Sequence, residues 1–174
     1  GLVRGAVIED DQGLSAYLAK RESGLFALAW RVLEGAGKGE EPRVLQEAGQ
    51  VYGRARLLSE LAGRLAEGQL VLPLEHLGRF GVDVAALRRG EASAALLSAL
   101  EAFREDVRLR FRRIAEDLAG ASSNTRCVLL PLALVEPYLS AQEKLGPACV
   151  RAAGDVGPLN RIWRLWWAHW SGIG

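Results

Sequence analysis

The sequence predicts an all-α protein, and three observations support this prediction. Apolar residues recur at spacings of three and four along most of the 174 residues, as on one face of a helix. Ala, Leu, Arg and Glu dominate and favour helix, whereas Val and Ile do not cluster as in strands. Glycine and proline punctuate the periodic segments. We expect a single helical domain over 1–174 with a sizeable core, because 49% of the residues are hydrophobic.

The first half of the chain carries two predicted helices and a short helical turn. The first helix covers 14–33, and its apolar positions at helical spacing are Leu14, Tyr17, Leu18, Leu25, Leu28, Ala29 and Val32. The glycine-rich segment 35–39 ends it, since glycine tolerates left-handed geometry. A second helix should run over about 42–66, because it opens with a proline suited to a first turn. The short turn covers 73–80.

The second half carries three more predicted helices. A long one over about 91–118 has apolar residues at spacings of three and four. The next, over 125–145, is apolar nearly all round at its start and contains Pro131 and Pro137, which should kink or split it. The last covers 159–170. The sequence therefore predicts five or six helices in one domain.

Composition argues against several classes of function. With a formal net charge of +1, the chain has no overall field that would favour nucleic acid. No apolar run approaches the roughly 20 residues of a transmembrane helix. The only histidines are His76 and His169, too few for a histidine metal site or for triad catalysis. We expect Cys127 and Cys149 to be reduced and structural.

The most informative segment covers residues 49–73 and reads GQVYGRARLLSELAGRLAEGQLVLP. It resembles the second aspartate-rich segment of the squalene/phytoene synthase family, in which N-x-x-x-D-x-x-E-D is followed by Gly-Arg and Tyr-Leu-Pro. Counted back from Leu72-Pro73, the family's Asn, Asp, Glu and Asp positions are Arg56, Glu60, Gly63 and Arg64. One carboxylate is left where an active enzyme of this family uses two to hold Mg²⁺ and a diphosphate.

Two further strings carry the same resemblance. LPLEHLGRFGV is similar to the family's Leu-Pro-x-(Asp/Glu)-x-Leu-x-x-Phe/His-Gly-Val, which follows the catalytic helix. LVRGAVIEDD resembles its Leu-Ile-x-Gly-x-x-x-Asp stretch, after which the family has a tyrosine and a small-residue pair, as Tyr17 and Ser23-Gly24 are here. The resemblance implies the C-terminal part of a helical bundle of the isoprenoid synthase type. We expect that the family's N-terminal third, with its first aspartate-rich motif, is missing from this chain.

The lost acid changes the chemistry that the motif can support. In active relatives, Mg²⁺ held by carboxylates stabilises the leaving diphosphate, and this hard cation demands oxygen ligands. Arg64 cannot ligate a metal, and Glu60 is spaced to pair with it. We therefore expect no cofactor, and Mg²⁺ only if the chain is an active enzyme. The candidate ligand-binding residues are Tyr17, Arg56, Glu60 and Arg64, since arginine can bind a prenyl diphosphate directly. The ordinary alternative is that Arg64 serves in a salt bridge alone.

Four of the five tryptophans fall within eight positions of the last predicted helix. With the neighbouring arginines, the cluster comprises Arg161, Trp163, Arg164, Trp166, Trp167 and Trp170. In one interpretation the helix packs into the core, where tryptophan supplies area. In the other it forms an aromatic and basic surface for a protein partner or a membrane interface. One helix cannot easily bury four indole rings on a small domain, so the cluster is the best partner-facing candidate.

Two charged clusters also allow two interpretations each. Glu9-Asp10-Asp11 is either a set of remnant metal ligands or an acidic helix N-terminus. The arginines between Arg104 and Arg113 form either a basic stripe for an anionic partner or a solvated face balanced by nearby acids. The second interpretation is favoured in both cases, because acids at helix starts and interspersed surface charges are common.

The resemblance frames the choice between functions. One branch of the family, which includes a mitochondrial assembly factor for respiratory complex I, has degraded aspartate motifs and often a basic, Trp-rich last helix. This chain fits that branch, so we expect a non-catalytic assembly factor or prenyl-lipid-binding scaffold. Its expected location is cytoplasmic or matrix-like, peripheral at the inner membrane. The alternatives are a Mg²⁺-dependent prenyltransferase that condenses two allylic diphosphates, and a lipid-binding module with neither activity.

Overall fold

A computed structural model describes residues 7–35, 40–118, 120–154 and 156–171. The α-helices within these ranges are α1 (Asp11–Leu18), α2 (Gly24–Glu34), α3 (Arg43–Ser59), α4 (Leu61–Ala66), α5 (Leu74–Arg79), α6 (Val84–Arg88), α7 (Ala94–Leu118), α8 (Ser123–Val128), α9 (Val135–Lys144) and α10 (Pro158–Ser171). A π-helical turn (Ala19–Ser23) joins α1 to α2, and 3-10 helices (Leu130–Leu134 and Gly146–Val150) flank α9. The prediction of an all-α fold is confirmed.

Helix α3 is the centre of the fold and packs against α1, α2, α7 and α9. Two of its glycines allow the first helices to approach closely. A Cβ atom added at Gly49 would lie 2.5 Å from the backbone of Ser23, and one added at Gly53 would lie 2.6 Å from Leu18 Cδ2. This close packing fixes the rotation of α3, and with it the direction in which the polar residues near its C-terminus face.

The π-helical turn changes which face of α2 is buried. Leu25, Leu28 and Val32 belong to the predicted apolar row, yet all three are exposed. The buried positions follow every fourth residue instead, namely Leu14, Leu18, Glu22, Phe26 and Trp30. A π turn holds more residues than an α turn, so it rotates the packed face relative to a regular helix. A regular α-helix of 3.6 residues per turn would not keep every fourth residue on one face over this length, so the predicted row differs from the buried one.

The predicted helices are present, but several are divided. The one predicted over 42–66 is interrupted at Glu60, between α3 and α4. Backbone hydrogen bonds from Glu60 N to Arg56 O and from Arg64 N to Glu60 O nevertheless span the interruption, so α4 continues the direction of α3. The helix predicted over 125–145 is split into α8, a 3-10 helix and α9, as its prolines suggested. Helix α6 and the 3-10 helix after α9 were not predicted, since neither is long enough to show a period.

The segment before α1 lies alongside the loop that leads into α5. Val7 and Leu70 form an isolated parallel bridge. The backbone amides of Leu74 and Glu75 donate to the carbonyls of the two residues after Val7, at 2.9 Å each. These bonds position the start of α1 against the rest of the domain. Within the described ranges, no helix combines the length and apolar character needed to cross a bilayer.

Candidate functional site

An open cavity of about 810 Å³ lies beside the end of α3 and the whole of α4. The π-helical turn, α9 and the start of α10 provide its other walls. The charged residues that line it are Arg21, Arg56, Glu60, Arg64, Glu67 and Arg161. Four guanidinium groups face two carboxylates, so the lining has a positive balance. Such a wall favours an anionic ligand.

The carboxylate of Glu60 is held by two arginines. Arg64 donates from Nη2 and Nε to Glu60 Oε2 at 2.7 and 3.0 Å, and Arg56 donates from Nε to Oε1 at 3.1 Å. Arg64 also donates to Gln69 Oε1 at 2.9 Å. Burial lowers the pKa of Arg64, but its hydrogen bonds to Glu60 and the charge of that residue outweigh burial, and the pKa is raised. The predicted pairing of Glu60 with Arg64 is therefore present.

Glu22 lies behind this pair and was not among the predicted site residues. It is 4% exposed and pairs with Arg21 Nε at 3.3 Å and with Arg56 Nη1 at 3.4 Å. A buried carboxylate is costly unless it is paired, so Glu22 and the two arginines constrain one another. The π-helical turn directs Glu22 towards α3. Regular helical periodicity contains no signal for this placement.

Tyrosines complete the polar surroundings of the cavity. Tyr17 accepts a hydrogen bond from Arg21 Nη1 at 2.7 Å and, after Glu60, helps to raise the pKa of Arg64. Tyr52 and Tyr138 line the cavity, with ring centroids 6.4 Å apart. Burial and the neighbouring Tyr138 raise the pKa of Tyr52, so its hydroxyl stays neutral near neutral pH. Tyr17 thus supports the predicted ligand-binding arginines from behind and does not itself line the cavity.

Arg161 belongs to this cavity and not to the outer face of α10. It is half-buried, donates from Nε to the Val156 carbonyl at 2.6 Å, and lies 5.8 Å from the centroid of the Tyr138 ring. Arg161 was predicted to share a surface with the tryptophans because they are neighbours in the chain. Residues two positions apart on a helix differ by about 200° in direction, however, so the side chains of Arg161 and Trp163 face opposite ways.

The donor set around Glu60 does not suit Mg²⁺. This ion needs oxygen ligands in a near-octahedral arrangement, and proteins usually supply one or two of them as carboxylates. Both oxygens of Glu60 are already bound by guanidinium groups, and the charges of Arg56 and Arg64 oppose a second cation. In the part of the chain that the structure describes, no three His, Cys, Asp or Glu residues lie close enough to hold a metal ion.

The acidic cluster at the start of α1 has two structural roles. Asp10 is the N-cap of α1 and accepts a bond from Gly13 N at 2.7 Å, so the helix-terminus interpretation is confirmed for it. Asp11 accepts from Arg54 Nη1 at 2.8 Å. Arg54 is fully buried in α3; burial lowers its pKa, and Asp11 partly offsets this effect. Arg54 was not among the predicted site residues.

The tryptophans of α10 lie at the surface. Trp163, Trp166, Trp167 and Trp170 are 59%, 52%, 58% and 74% exposed. Their rings approach one another along the helix, with centroid distances from 5.3 to 6.4 Å. The interpretation of these four rings as core residues is therefore wrong. Arg164, the other arginine of the cluster, is also exposed.

The helical architecture is that of the isoprenoid synthase type of fold. The family model described as squalene/phytoene synthase matches residues 3–170, and the chain belongs to the squalene/phytoene synthase family. A comparison with curated proteins found no match for this chain. The family match includes residues 56–64, the segment predicted to correspond to the family's second aspartate-rich motif.

Proposed function

We propose that this protein is a non-catalytic member of the family that binds an anionic prenyl ligand and acts as a scaffold. The pairing of Arg64 Nη2 with Glu60 Oε2 at 2.7 Å carries this proposal. Relatives with an intact motif have an acid at the position of Arg64. Here the substituted residue neutralises the one acid that the motif retains.

Loss of the metal site leaves a route to diphosphate binding. Guanidinium groups bind phosphate oxygens through paired N–H donors, and Arg21, Arg56 and Arg64 all line one wall of the cavity. A volume of about 810 Å³ is in the range of small-molecule sites. Glu22 and Glu60 already offset part of the arginines' charge, so this wall offers a leaving group less stabilisation than Mg²⁺ would. We therefore expect binding without ionisation of the ligand.

Family resemblance suggests a more specific biological role. Since the degenerate motif and the Trp-rich last helix match the branch that contains an assembly factor for respiratory complex I, we propose that the scaffold assists assembly of that complex. Removing the protein from its host should then lower the amount of assembled complex I and leave squalene and carotenoid levels unchanged. A normal amount of complex I in such a strain would contradict the role.

The cavity and the family membership also favour one second candidate, a Mg²⁺-dependent prenyltransferase. The assay that separates the two uses the full-length protein with farnesyl or geranylgeranyl diphosphate and Mg²⁺. A scaffold releases no diphosphate above the rate in buffer. Release that disappears in Glu60→Gln would show that Glu60 still serves catalysis, and the non-catalytic proposal would have to be abandoned.

A further inference from the structure

The apolar face of α10 points away from the protein. Its exposed apolar residues, each at least half exposed, are Leu159, Ile162, Trp163, Trp166, Trp167 and Trp170. At about 100° per residue these positions fall within an arc of about 140°. Leu165 and Ala168, on the opposite side, are the positions that are half-buried or buried. A surface helix normally turns its apolar face inward, whereas this face is not covered by the part of the chain that the structure describes.

The charges of α10 have a single sign. Its sequence from Pro158 to Ser171 contains two arginines and no acid, whereas the whole chain is nearly balanced, with 22 Lys and Arg against 21 Asp and Glu. Arg164 is exposed at the edge of the apolar face and donates from Nε to Asn160 Oδ1 at 3.1 Å. Tryptophan prefers the boundary between apolar and polar media, and arginine is attracted to anionic headgroups.

We propose that this face of α10 binds the headgroup region of an anionic bilayer, with the helix lying in the membrane plane. Helix α10 packs on the 3-10 helix Leu130–Leu134, and Leu165 and Ala168 are turned towards the protein, so the exposed side of α10 carries the tryptophans. The four indole rings are adjacent along the helix, and Trp163 and Trp167 also border a groove of about 610 Å³ beside this 3-10 helix. A fluid bilayer adapts to an irregular apolar surface, and indole rings suit the interfacial depth.

A second row of exposed apolar residues, on α2, differs from the apolar face of α10. Leu25, Leu28 and Val32 on α2 are also exposed, but this row contains no exposed tryptophan. The neighbouring Arg31 is paired with Glu41 at 3.0 Å, so the charge beside the row is balanced. Apolar exposure alone therefore does not distinguish α10. The combination of four exposed tryptophans with an exposed arginine, Arg164, does.

Fluorescence quenching by brominated lipids tests the proposal directly on the full chain. Four of the five tryptophans lie on the proposed membrane face, and the fifth, Trp30, is 7% exposed. We expect the protein to float with vesicles of phosphatidylcholine and phosphatidylglycerol, and bromine atoms near the headgroups should quench most of its emission. Vesicles of phosphatidylcholine alone should bind it more weakly, and salt should weaken the anionic component.

Paired variants identify the face. Trp166→Gln combined with Trp170→Gln should lower vesicle affinity about tenfold or more, because two interfacial rings are lost. Leu25→Gln combined with Leu28→Gln is the matched control and should bind as the native protein does. Unchanged binding by the tryptophan variant, no binding to either vesicle, or burial of the face in a dimer or a protein complex would each overturn the proposal. Neither tryptophan lines the cavity, so diphosphate affinity stays the same in these variants and the two proposals fail separately.

Discussion

The cavity wall and the outer face of α10 depart from the usual distribution of residues in opposite directions. At the wall, charged groups are withdrawn from water, with Glu22 4% exposed and the side chain of Arg64 11% exposed. On α10, large apolar groups face outward, and Trp170 is 74% exposed. The buried charges find partners within the chain, whereas the exposed rings present apolar area that the described part of the chain does not cover.

This difference separates the two regions energetically. Buried charges cost free energy unless their partners are in place, so the wall is a coupled network in which one substitution affects several contacts. Exposed rings are already hydrated in the free protein, so changing them costs the fold little. Substitutions at the wall should alter stability and ligand affinity together, whereas substitutions on α10 should alter surface binding alone.

The same substitution in the two environments should give the largest contrast. Trp30→Ala removes a ring buried on α2 and should lower the free energy of unfolding by about 3–5 kcal/mol. Trp170→Ala should change it by less than about 0.5 kcal/mol, because that ring is exposed. Urea denaturation of both variants measures these effects. Similar losses of stability in the two variants would mean that the tryptophan face of α10 packs within the protein. The contrast between the cavity wall and this face would then be wrong.

A glycine substitution tests whether α3 is fixed as tightly as the wall requires. Gly49→Ala places a methyl group 2.5 Å from the Ser23 backbone and should destabilise the protein by about 1–3 kcal/mol. Gly63→Ala is the matched control on α4, where an added Cβ meets nothing within 4 Å. It should stabilise the protein by up to about 1 kcal/mol through helix propensity. Equal effects in thermal denaturation would argue against close packing at α3.

Removing Arg64 should weaken both the wall and its ligand. Arg64→Leu removes the hydrogen bonds to Glu60 and Gln69, and should lower stability by about 1–2 kcal/mol. Titration calorimetry should also show a loss of about tenfold in affinity for farnesyl diphosphate, since a charge-assisted donor is gone. Arg79→Leu removes an exposed pair with Glu75 and is the control, with an expected cost below about 0.5 kcal/mol. A variant that loses stability but keeps its affinity would confine Arg64 to a structural role.

The smallest effect concerns an exposed ion pair and its pH dependence. Burial raises the pKa of Glu136, but hydrogen bonds from Arg108 and Ser140 outweigh it and hold the pKa below its ordinary 4.5. Because the folded pKa is depressed, Glu136 stabilises the fold above its unfolded pKa, and this contribution disappears as pH falls through the folded pKa. Glu136→Gln should therefore cost less than about 1 kcal/mol at neutral pH and nothing in strong acid. A stability difference that is the same at both pH values would exclude this linkage.

Local patterns explain what the sequence could predict. Helical periodicity located the long helices, and the spacing of Glu60 and Arg64 predicted their ion pair, because both signals depend on residues that are close together in the chain. The roles of Glu22 and Arg54 were not predicted. The π-helical turn that directs Glu22 and the close packing that buries Arg54 depend on the tertiary structure and leave no local sequence pattern. Tyr52 and Tyr138 meet across α3 and α9, and no short pattern in the chain reports such a contact.

The central claim is that a guanidinium wall has replaced a metal site, and the effect of Mg²⁺ on ligand affinity tests it most directly. Affinity for farnesyl diphosphate should be at least as high in EDTA as in Mg²⁺, because free Mg²⁺ competes with the arginines for the phosphate oxygens. Arg64→Asp, which restores the second acid, should reverse this order. A native protein whose affinity rises about tenfold or more when Mg²⁺ is added would contradict the account.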